Sequence, residues 1–334
     1  MSKIKIGING FGRIGRRLFR LLYDHPLIEI VAINDRADGA TLAHLLKYDS
    51  IHGIFKRDIS FSSGKLRVDD KEIGLYQFSD PVSIPWSSYN LDIVVESTGK
   101  FKTYDLLEGH LKAGAPKVIL SVPAVDDRIK TIVLGVNDNL ITGDELIISN
   151  ASCTTNNAAP MIKVVNDLCG VKQAYITTVH SYTTDQSLHD QPHPDLRRSR
   201  AAGQSIVPTT TGAAKALTKI FPELSNVIGG CGIRVPVPNG SLTDVTLNVA
   251  RDTTIEEINE AFKKASNTYL KGILEYTTIP LVSIDIVGNE NSCILDSQMT
   301  SVIGNLVKLI GWYDNETGYS ARIIDLIIKI SRKS

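Results

Sequence analysis

The first 35 residues contain, in order, an apolar strand pattern, a glycine-rich segment and a helical pattern. Residues 4–8 alternate apolar and other residues as in a strand, and the apolar residues of 18–22 recur at helical spacing. The segment between them is a G-x-G-x-x-G arrangement, Gly10-Phe11-Gly12-Arg13-Ile14-Gly15. Between a strand and a helix, Gly10, Gly12 and Gly15 predict that the helix start binds the pyrophosphate of a dinucleotide.

An acidic residue follows the next predicted strand. The apolar run 28–33 ends in Asn34 and Asp35, and Asp35 lies 20 residues beyond Gly15. A carboxylate there accepts hydrogen bonds from the ribose hydroxyls and repels a 2′-phosphate, so the pattern predicts NAD rather than NADP. Arg36 is either a solvated surface residue or a cation that weakens this discrimination.

Strands and helices continue to alternate as far as residue 150. One helix is predicted over 40–46, and a second follows Gly99 and ends at about 111. A hairpin is predicted over 59–68, and further strands over 91–95, 117–120, 132–136 and 146–148. Small polar residues follow several strands: Asp35, Ser97, Thr98, Ser121 and Asn150. Because an open parallel sheet binds ligands at the carboxyl ends of its strands, we predict an α/β, Rossmann NAD-binding domain over 1–150. Ser97 and Thr98 are among its expected cofactor contacts.

The pattern changes after Gly170, in the part of the chain that follows the first domain. Strands are predicted over 174–179, 245–249, 281–286, 293–295 and 306–312, and helices over 158–168, 213–220, 254–270 and 318–330. A polar loop from 181 to about 205 is long enough to be functional or to lie at an interface. We predict a second, α+β catalytic domain on a mixed or antiparallel sheet over 151–316, followed by a C-terminal helical segment, 317–334.

Cys153 lies in a polar turn between a predicted strand and a predicted helix. Free backbone N–H groups and the helix dipole favour a thiolate at such a place. His180, 27 residues later, ends a strand and is a candidate base for Cys153. From these residues alone, two alternatives stay open: a small buried cysteine at Cys153, and a hydrogen-bonded histidine at a strand end for His180. Beside a nicotinamide, a thiolate can add to an aldehyde, pass hydride to NAD and form a thioester, which water or phosphate then cleaves.

Two further places have the chemistry of anion binding. Thr209, Thr210, Thr211 and Gly212 precede the helix predicted over 213–220, where they either bind phosphate or act as ordinary N-caps. Arg234, between β-branched residues, is either a surface charge on a strand edge or an anion ligand. Both features favour phosphate as a group on the substrate and as the species that cleaves the thioester.

Composition excludes several other classes of function. Lys plus Arg and Asp plus Glu both number 36, so we expect no nucleic acid as the main partner and no anionic membrane. The chain has no uncharged stretch of about 18 apolar residues, and its start lacks the apolar block of a signal peptide. The four cysteines form no CxxC pair, which favours reduced thiols in a cytoplasmic protein. No metal site is expected, because Pro192 and Pro194 oppose a helix that would pair His189 with His193.

Several segments, taken together and in order, resemble one family, the phosphorylating glyceraldehyde-3-phosphate dehydrogenases of glycolysis. The segments that resemble it are 10–15, the Ser-Asn-Ala-Ser-Cys-Thr-Thr-Asn motif at 149–156, 180–183, 195–198, 208–215, 234–236 and 312–319. The resemblance implies NAD-dependent oxidation of glyceraldehyde 3-phosphate to 1,3-bisphosphoglycerate, in a homotetramer. It also implies that the final helix packs on the first domain.

The resemblance further implies a role for each matching residue. Cys153 resembles the nucleophile and His180 its base. Thr183 and Arg234 resemble ligands of the substrate phosphate, with Asp185 orienting the arginine. Five residues resemble ligands of the inorganic phosphate: Ser152, Thr154, Arg198, Thr211 and Gly212. Five others resemble the residues that contact NAD, namely Arg13, Ile14, Asp35, Ser121 and Asn315, of which Asn315 would hold the nicotinamide carboxamide. The sequence departs from the family at Asn157, where a second cysteine is usual, and at Ser79, where an arginine near the adenine is common.

Two alternative functions predict a different sequence. Erythrose-4-phosphate dehydrogenase hydrolyses its thioester, and its sequence differs from the segments at 180–183 and 210–212 here. An NAD-bound protein with a binding or regulatory role would show a lost Cys153 or His180, or a strongly basic surface. The sequence shows neither of these signs.

Overall fold

In the computed structural model, which describes residues 3–332, the chain forms two units, each built on its own sheet. The first unit contains the residues up to Ile132, Asn139–Ala151 and the residues from Ser320 on. Its elements up to Ala151 are β1 (Ile4–Asn9), α1 (Arg13–Leu22), β2 (Ile28–Asn34), α2 (Gly39–Lys47), β3 (Tyr48–Asp49), β4 (Gly53–Ile54), β5 (Ile59–Ser62), β6 (Lys65–Val68), β7 (Lys71–Tyr76), β8 (Ile93–Glu96), α3 (Tyr104–Lys112), β9 (Val118–Leu120), β10 (Lys130–Thr131) and β11 (Ile147–Ser149).

The main sheet of the first unit has the strand order β10-β11-β9-β8-β1-β2-β7-β6-β5. The pairs from β10 to β7 are parallel, and β6 and β5 add an antiparallel hairpin at one edge. Strands at the centre of such a sheet are covered on both faces, which is why β1 and β8 are mostly apolar and buried. The predicted parallel sheet and hairpin are confirmed, whereas β7 was not predicted.

The second unit contains Val133–Asp138 and Ser152–Tyr319. The elements from Ser152 onward are α4 (Cys153–Cys169), β12 (Val171–Ser181), β13 (Val207–Thr209), α5 (Ala213–Ile220), β14 (Ile228–Val235), β15 (Ser241–Val249), α6 (Ile255–Asn267), β16 (Leu274–Thr277), β17 (Cys293–Asp296), β18 (Ser301–Ile303), β19 (Leu306–Tyr313) and α7 (Thr317–Ser331), which continues into the first unit from Ser320. Its sheet has the order β13-β14-β12-β15-β19-β17-β16, with β18 also on β19. The sheet is mixed, because β12 pairs in parallel with β14 and antiparallel with β15.

The strand predicted over 132–136 is wrong. The strand β10 ends at Thr131, and the residues that follow form turns. The side-chain oxygen of Asn137 accepts a hydrogen bond from the Val133 backbone N–H at 2.7 Å, and Gly135 has a φ of +77°. The turn-forming residues Gly135 and Asn137 therefore determine the conformation of this apolar run, which forms no strand.

The strand predicted over 281–286 is also wrong. Residues Ser283–Ile286 form a 3-10 helix. The Asp285 carboxylate accepts a hydrogen bond from the Val282 backbone N–H at 2.9 Å, which stabilises a helical turn. Ile284 is largely exposed, so this apolar side chain does not mark a core strand.

The three glycines of the first loop have different surroundings. Gly10 has a φ of +94°, which favours glycine. A Cβ atom at Gly15 would lie 2.2 Å from the carbonyl oxygen of Gly10, whereas a Cβ atom at Gly12 would meet nothing within 4 Å. Gly15 therefore permits close packing of helix and loop, and Gly12 leaves open space above the backbone.

We expect Gly15→Ala to lower the free energy of unfolding by about 1–3 kcal/mol or more, because the clash is with backbone and cannot be relieved by a rotamer. Gly12→Ala, the matched control at the start of the same helix, should change it by less than about 1 kcal/mol. Urea unfolding of both variants measures the difference. Equal losses would contradict the assigned roles.

Candidate functional site

A cleft of about 590 Å³ opens at the carboxyl ends of the central strands in the first unit. Its lining includes the glycine loop, the end of β2 and the turn after β8, represented by Gly10, Gly12, Asp35, Arg36, Ser97 and Thr98. This is the edge at which a parallel sheet of this type binds its ligand. Among the described residues, Arg13, Ile14 and Ser121 are not part of the lining.

Asp35 is held at the cleft by two backbone donors. Its carboxylate accepts hydrogen bonds from the N–H of Phe11 at 2.6 Å and of Ala37 at 2.9 Å. A carboxylate has about four acceptor positions, so two donors leave capacity for ribose hydroxyls. Arg36 is exposed.

Several predicted cofactor contacts instead use their side chains within the protein. The Ser97 hydroxyl donates to the carbonyl of Gly10 at 2.7 Å, and so holds the glycine loop. The Arg13 guanidinium binds both carboxylate oxygens of Asp49, at 2.6 and 3.2 Å. Burial alone would raise the pKa of Asp49, but hydrogen bonds from the backbone and Arg13 leave that pKa well below its usual range. Arg13 and Ile14 are the first two residues of α1, and the Arg13 guanidinium is committed to Asp49. Ser121 is buried beyond the end of β9.

Cys153 is the first residue of α4. Ser152 is the N-cap, and its hydroxyl accepts from the N–H of Thr155 at 3.1 Å. Just before it, Ala151 has a φ of +56°, which is uncommon for a residue with a Cβ and marks a sharp turn into the helix. The half-buried Cys153 Sγ lies 3.5 Å from Nε2 of His180, within hydrogen-bonding distance for sulfur.

Nδ1 of His180 has both an acceptor and a donor beside it. It lies 2.8 Å from the carbonyl oxygen of Ser181, which can only accept a hydrogen bond, whereas the neighbouring guanidinium of Arg234 can only donate. To act as a base for the Cys153 thiol, His180 must carry its proton on Nδ1, so that Nε2 is an acceptor facing Sγ. The parallel register of β12 and β14 pairs His180 with Arg234, whose Nη1 lies 2.9 Å from Nδ1 and donates to the Ser181 carbonyl at 3.0 Å.

Burial opposes a charge on either partner. It raises the pKa of the Cys153 thiol, although Arg234 and the hydrogen bonds of Thr154 pull that pKa down. Burial and then the charge of Arg234 lower the pKa of His180 to about 3. Transfer of the proton from Sγ to Nε2 creates two opposite charges side by side, and their attraction acts against the cost of desolvation. The pair is thus arranged for proton transfer between its members.

Tyr313, at the end of β19, is a residue of this site that the sequence analysis missed. Its fully buried hydroxyl lies 2.9 Å from the hydroxyls of both Thr154 and Thr178, and its ring is 5.9 Å from that of His180. Burial raises the pKa of Tyr313 above its usual range, so the hydroxyl stays protonated. Tyr313 ties the first turn of α4 to β12. Strand alternation could identify it as a core residue, but nothing local indicated these partners.

Asn315 has a defined orientation. Its side-chain oxygen accepts from the hydroxyls of Ser181 and Ser241, both at 2.9 Å. The Nδ2 group therefore points away from these serines, and the hydrogen bonds described between residues 3 and 332 do not use it. The preceding Asp314 accepts from the N–H groups of Glu316 and Thr317 at 2.8 and 2.9 Å, which fixes the turn.

The predicted phosphate ligands differ in their arrangement from what the resemblance implied. Asp185 does not hold Arg234; its carboxylate binds Nη1 of Arg198. Arg198 also donates from Nε to the hydroxyl of Thr209 at 2.9 Å. Thr183 is half-buried, and its hydroxyl accepts from the N–H of Asp185 at 3.4 Å. Asp185 is exposed, whereas only 17% of the Arg198 side chain is exposed, and Arg198 also lies 3.6 Å from a carboxylate oxygen of Asp195.

The remaining predicted phosphate ligands cap helices or bond to neighbours. The Thr211 hydroxyl accepts from the N–H of Ala213 at 3.2 Å, and Gly212 is the N-cap of α5. The hydroxyl of Ser152 caps α4, and that of Thr154 bonds to Tyr313. Ordinary capping therefore accounts for these hydroxyls as they stand.

Alkylation of Cys153 by iodoacetamide measures how well His180 accepts its proton. We expect His180→Asn to slow the reaction at neutral pH about a hundredfold and to shift its pH profile upward, because burial then raises the thiol pKa without a base nearby. Peptide mass spectrometry gives the rate at each cysteine, with the partly exposed Cys231 as an internal control that should not change. An unchanged rate at Cys153 would contradict the proton transfer.

No helix within residues 3–332 is long and apolar enough to cross a membrane. Within the same residues, His, Cys, Asp and Glu form no group of three or more that could hold a metal ion. The four cysteines are free thiols.

Comparison with known proteins gives matches over almost the whole chain. Residues 4–104 match the NAD binding domain of glyceraldehyde 3-phosphate dehydrogenase, and residues 152–315 match its C-terminal domain. The chain is 50% identical to glyceraldehyde-3-phosphate dehydrogenase 2 of Streptomyces avermitilis over 333 residues, 99% of each chain. It is 50% identical to the enzyme of Geobacillus stearothermophilus over 332 residues, again 99% of each. The resemblance and the predicted fold class are confirmed: this chain belongs to the glyceraldehyde-3-phosphate dehydrogenase family.

Proposed function

We propose that this chain oxidises glyceraldehyde 3-phosphate with NAD and phosphate to 1,3-bisphosphoglycerate, the glycolytic reaction. The observation that carries the proposal is the 3.5 Å contact between Cys153 Sγ and His180 Nε2 at the start of a helix, beside Arg234. The names of the relatives support the same activity, as do the two family domains.

Cys153 and His180 carry the proton and bond changes. Sγ adds to the aldehyde carbon as its proton moves to Nε2, and Nε2 returns a proton to the oxygen of the resulting thiohemiacetal. Nε2 then withdraws that proton as the carbon loses hydride, leaving a thioester on Sγ. NAD, when bound, supplies the hydride acceptor. An oxygen of inorganic phosphate attacks the thioester, and Cys153 leaves as a thiolate favoured by Arg234. The thiolate takes back the proton held on Nε2, and the proton of the attacking phosphate is released to solvent.

The phosphate ligands are assigned with two changes to the expected roles, those of Asp185, which binds Arg198, and Thr154. Thr183 and Arg234 bind the substrate phosphate. Arg198, Thr211 and Gly212 bind the inorganic phosphate, together with Ser152. Because its hydroxyl is buried and bonded to Tyr313, we assign Thr154 to positioning the first turn of α4, with its backbone rather than its hydroxyl facing an anion.

The NAD contacts follow the same reasoning. Asp35 accepts from the ribose hydroxyls, and the backbone N–H groups of Arg13 and Ile14 face the pyrophosphate. Nδ2 of Asn315 donates to the nicotinamide carboxamide, because its oxygen is already taken by Ser181 and Ser241. Ser97 holds the glycine loop rather than the cofactor.

We assign the reaction to the cytoplasm. Its nucleophile is a free thiol, and the other three cysteines are also unpaired, which suits a reducing compartment. The zero net charge supports small molecules rather than nucleic acid as the main partners.

A coupled assay of NADH formation tests the activity. We expect turnover of glyceraldehyde 3-phosphate to require phosphate or arsenate and to fall at least about a thousandfold in Cys153→Ser. Cys231→Ser, which removes another partly exposed free thiol, is the matched control and should retain activity. Turnover that does not depend on the anion would show that water cleaves the thioester, and an active Cys153→Ser would exclude the thioester altogether.

A homotetramer is the second part of the proposal, supported by one face of the second sheet. The register of β12 with β14 and β15 places Val179 beside Ile233 and Leu242, with Tyr175 further along the same face. Tyr175 is 51% exposed, and the other three are only half-buried. Thr177 and Asp244 lie on the same face, and the apolar side chains around them suit contact with a second copy.

Analytical ultracentrifugation tests the assembly. We expect a mass about four times the 36.5 kDa of the chain, and a smaller assembly for Tyr175→Glu, because a buried unpaired carboxylate would weaken the interface. The control is Tyr269→Glu, since Tyr269 is also 51% exposed but follows α6 rather than lying on the sheet. A monomeric wild type, or an intact tetramer of Tyr175→Glu, would refute the interface.

A further inference from the structure

A fully buried acid, Glu96, lies beneath the cleft of the first unit. One carboxylate oxygen accepts from Nδ2 of Asn9 at 2.5 Å and lies 3.1 Å from Nε2 of His110. The other accepts from the N–H and the hydroxyl of Thr98, at 2.8 and 2.5 Å. Glu96 is therefore shared by the ends of β1 and β8.

The buried His110 donates to Glu96 rather than accepting from it. Its Nδ1 lies 3.0 Å from Nε1 of Trp86, and an indole nitrogen can only donate. Nδ1 must be the acceptor, so the proton of the neutral ring is on Nε2, facing the carboxylate. Glu96 thus meets four donors, and a carboxyl O–H would oppose one of them.

Two of the three residues that donate to Glu96 line the cleft, namely Asn9 and Thr98. Asn9 in turn accepts from Nδ2 of Asn34, another lining residue, at 2.8 Å. The backbone of Thr98 is so close to the glycine loop that a Cβ atom on Gly10 would lie 2.6 Å from its nitrogen. A shift of Thr98 would therefore be transmitted to Gly10 and to the loop that faces the pyrophosphate.

We propose that Glu96 is a positioning residue for the adenosine and pyrophosphate half of NAD. It does not touch the cofactor; it fixes Asn9 and Thr98, and through Thr98 the glycine loop. Four donors converge on it, so its function depends on being an acceptor at both oxygens. An isosteric amide cannot satisfy both sets of donors.

Glu96→Gln tests the proposal by isothermal titration calorimetry of NAD and of ADP-ribose. Its NH₂ group must face either Asn9 and His110 or Thr98. We expect the Kd of both ligands to rise by the same factor, about tenfold or more. In the assay of NADH formation, KM for NAD should rise likewise, with kcat and KM for the aldehyde within about twofold of wild type.

A matched control separates positioning from stability. Glu145 has a carboxylate only 7% exposed that accepts from the N–H groups of Thr142 and Gly143 and from Lys130, and it does not line the cleft. Glu145→Gln should lower the urea midpoint without changing the Kd of NAD. If Glu96→Gln gives that same result, Glu96 is only structural and the proposal fails. It also fails if NAD weakens while ADP-ribose does not.

A second variant covers the case in which Glu96→Gln does not fold. Glu96→Asp keeps two acceptor oxygens but withdraws them by one methylene, so it cannot reach Asn9 and Thr98 together. We expect the Kd of ADP-ribose to rise at least about threefold in a folded protein. A folded Glu96→Asp with the Kd of wild type would overturn the proposal.

Discussion

The contact between Cys153 and His180 depends on one buried hydroxyl, that of Tyr313. Cys153 is on the first turn of α4 and His180 is near the end of β12, so their 3.5 Å separation requires these two elements to be fixed against each other. Tyr313 hydrogen-bonds a threonine on each of them, Thr154 and Thr178. Because a buried hydroxyl left without partners is costly, this three-way bond holds α4, β12 and β19 in one arrangement.

Arg234 acts on the two groups in opposite chemical senses. Its positive charge favours the thiolate of Cys153 but disfavours the imidazolium of His180, so it lowers the pKa of each. Burial, which lowers the pKa of His180 and raises that of Cys153, is the larger influence on both. Both groups are therefore neutral at rest. Transfer of the proton from Sγ to Nε2 forms the thiolate and the imidazolium together. In such a site the thiolate forms only together with the imidazolium that balances its charge.

How far the sequence predicted this molecule depends on the range of the interactions. The glycine loop, Asp35 and the helix that begins at Cys153 follow from local patterns, because each depends on neighbours in the chain. Tyr313 and Thr154 are 159 residues apart in sequence, and no local pattern connects them. Asp185 was expected to orient Arg234, but it binds Arg198, 13 residues away in the same loop, since an irregular loop gives no periodicity to predict from. The prediction over 281–286 is wrong because Val282 and Ile284 are apolar but exposed, and only Ile286 is buried.

Both units fix a ligand-facing turn by the same physical means, a buried acid at or just beyond the end of a strand. Glu96 ends β8 and accepts from Thr98 in the turn that follows. Asp314 follows β19, is fully buried, and accepts from two N–H groups of its own turn and from Asn239 at 2.9 Å. A turn after a strand has backbone donors with no strand partner, and an acid placed there satisfies several at once. Each carboxylate holds its turn in one conformation. It thereby fixes a neighbouring residue, Thr98 in the turn of Glu96 and Asn315 in the turn of Asp314, on whose position cofactor binding would depend.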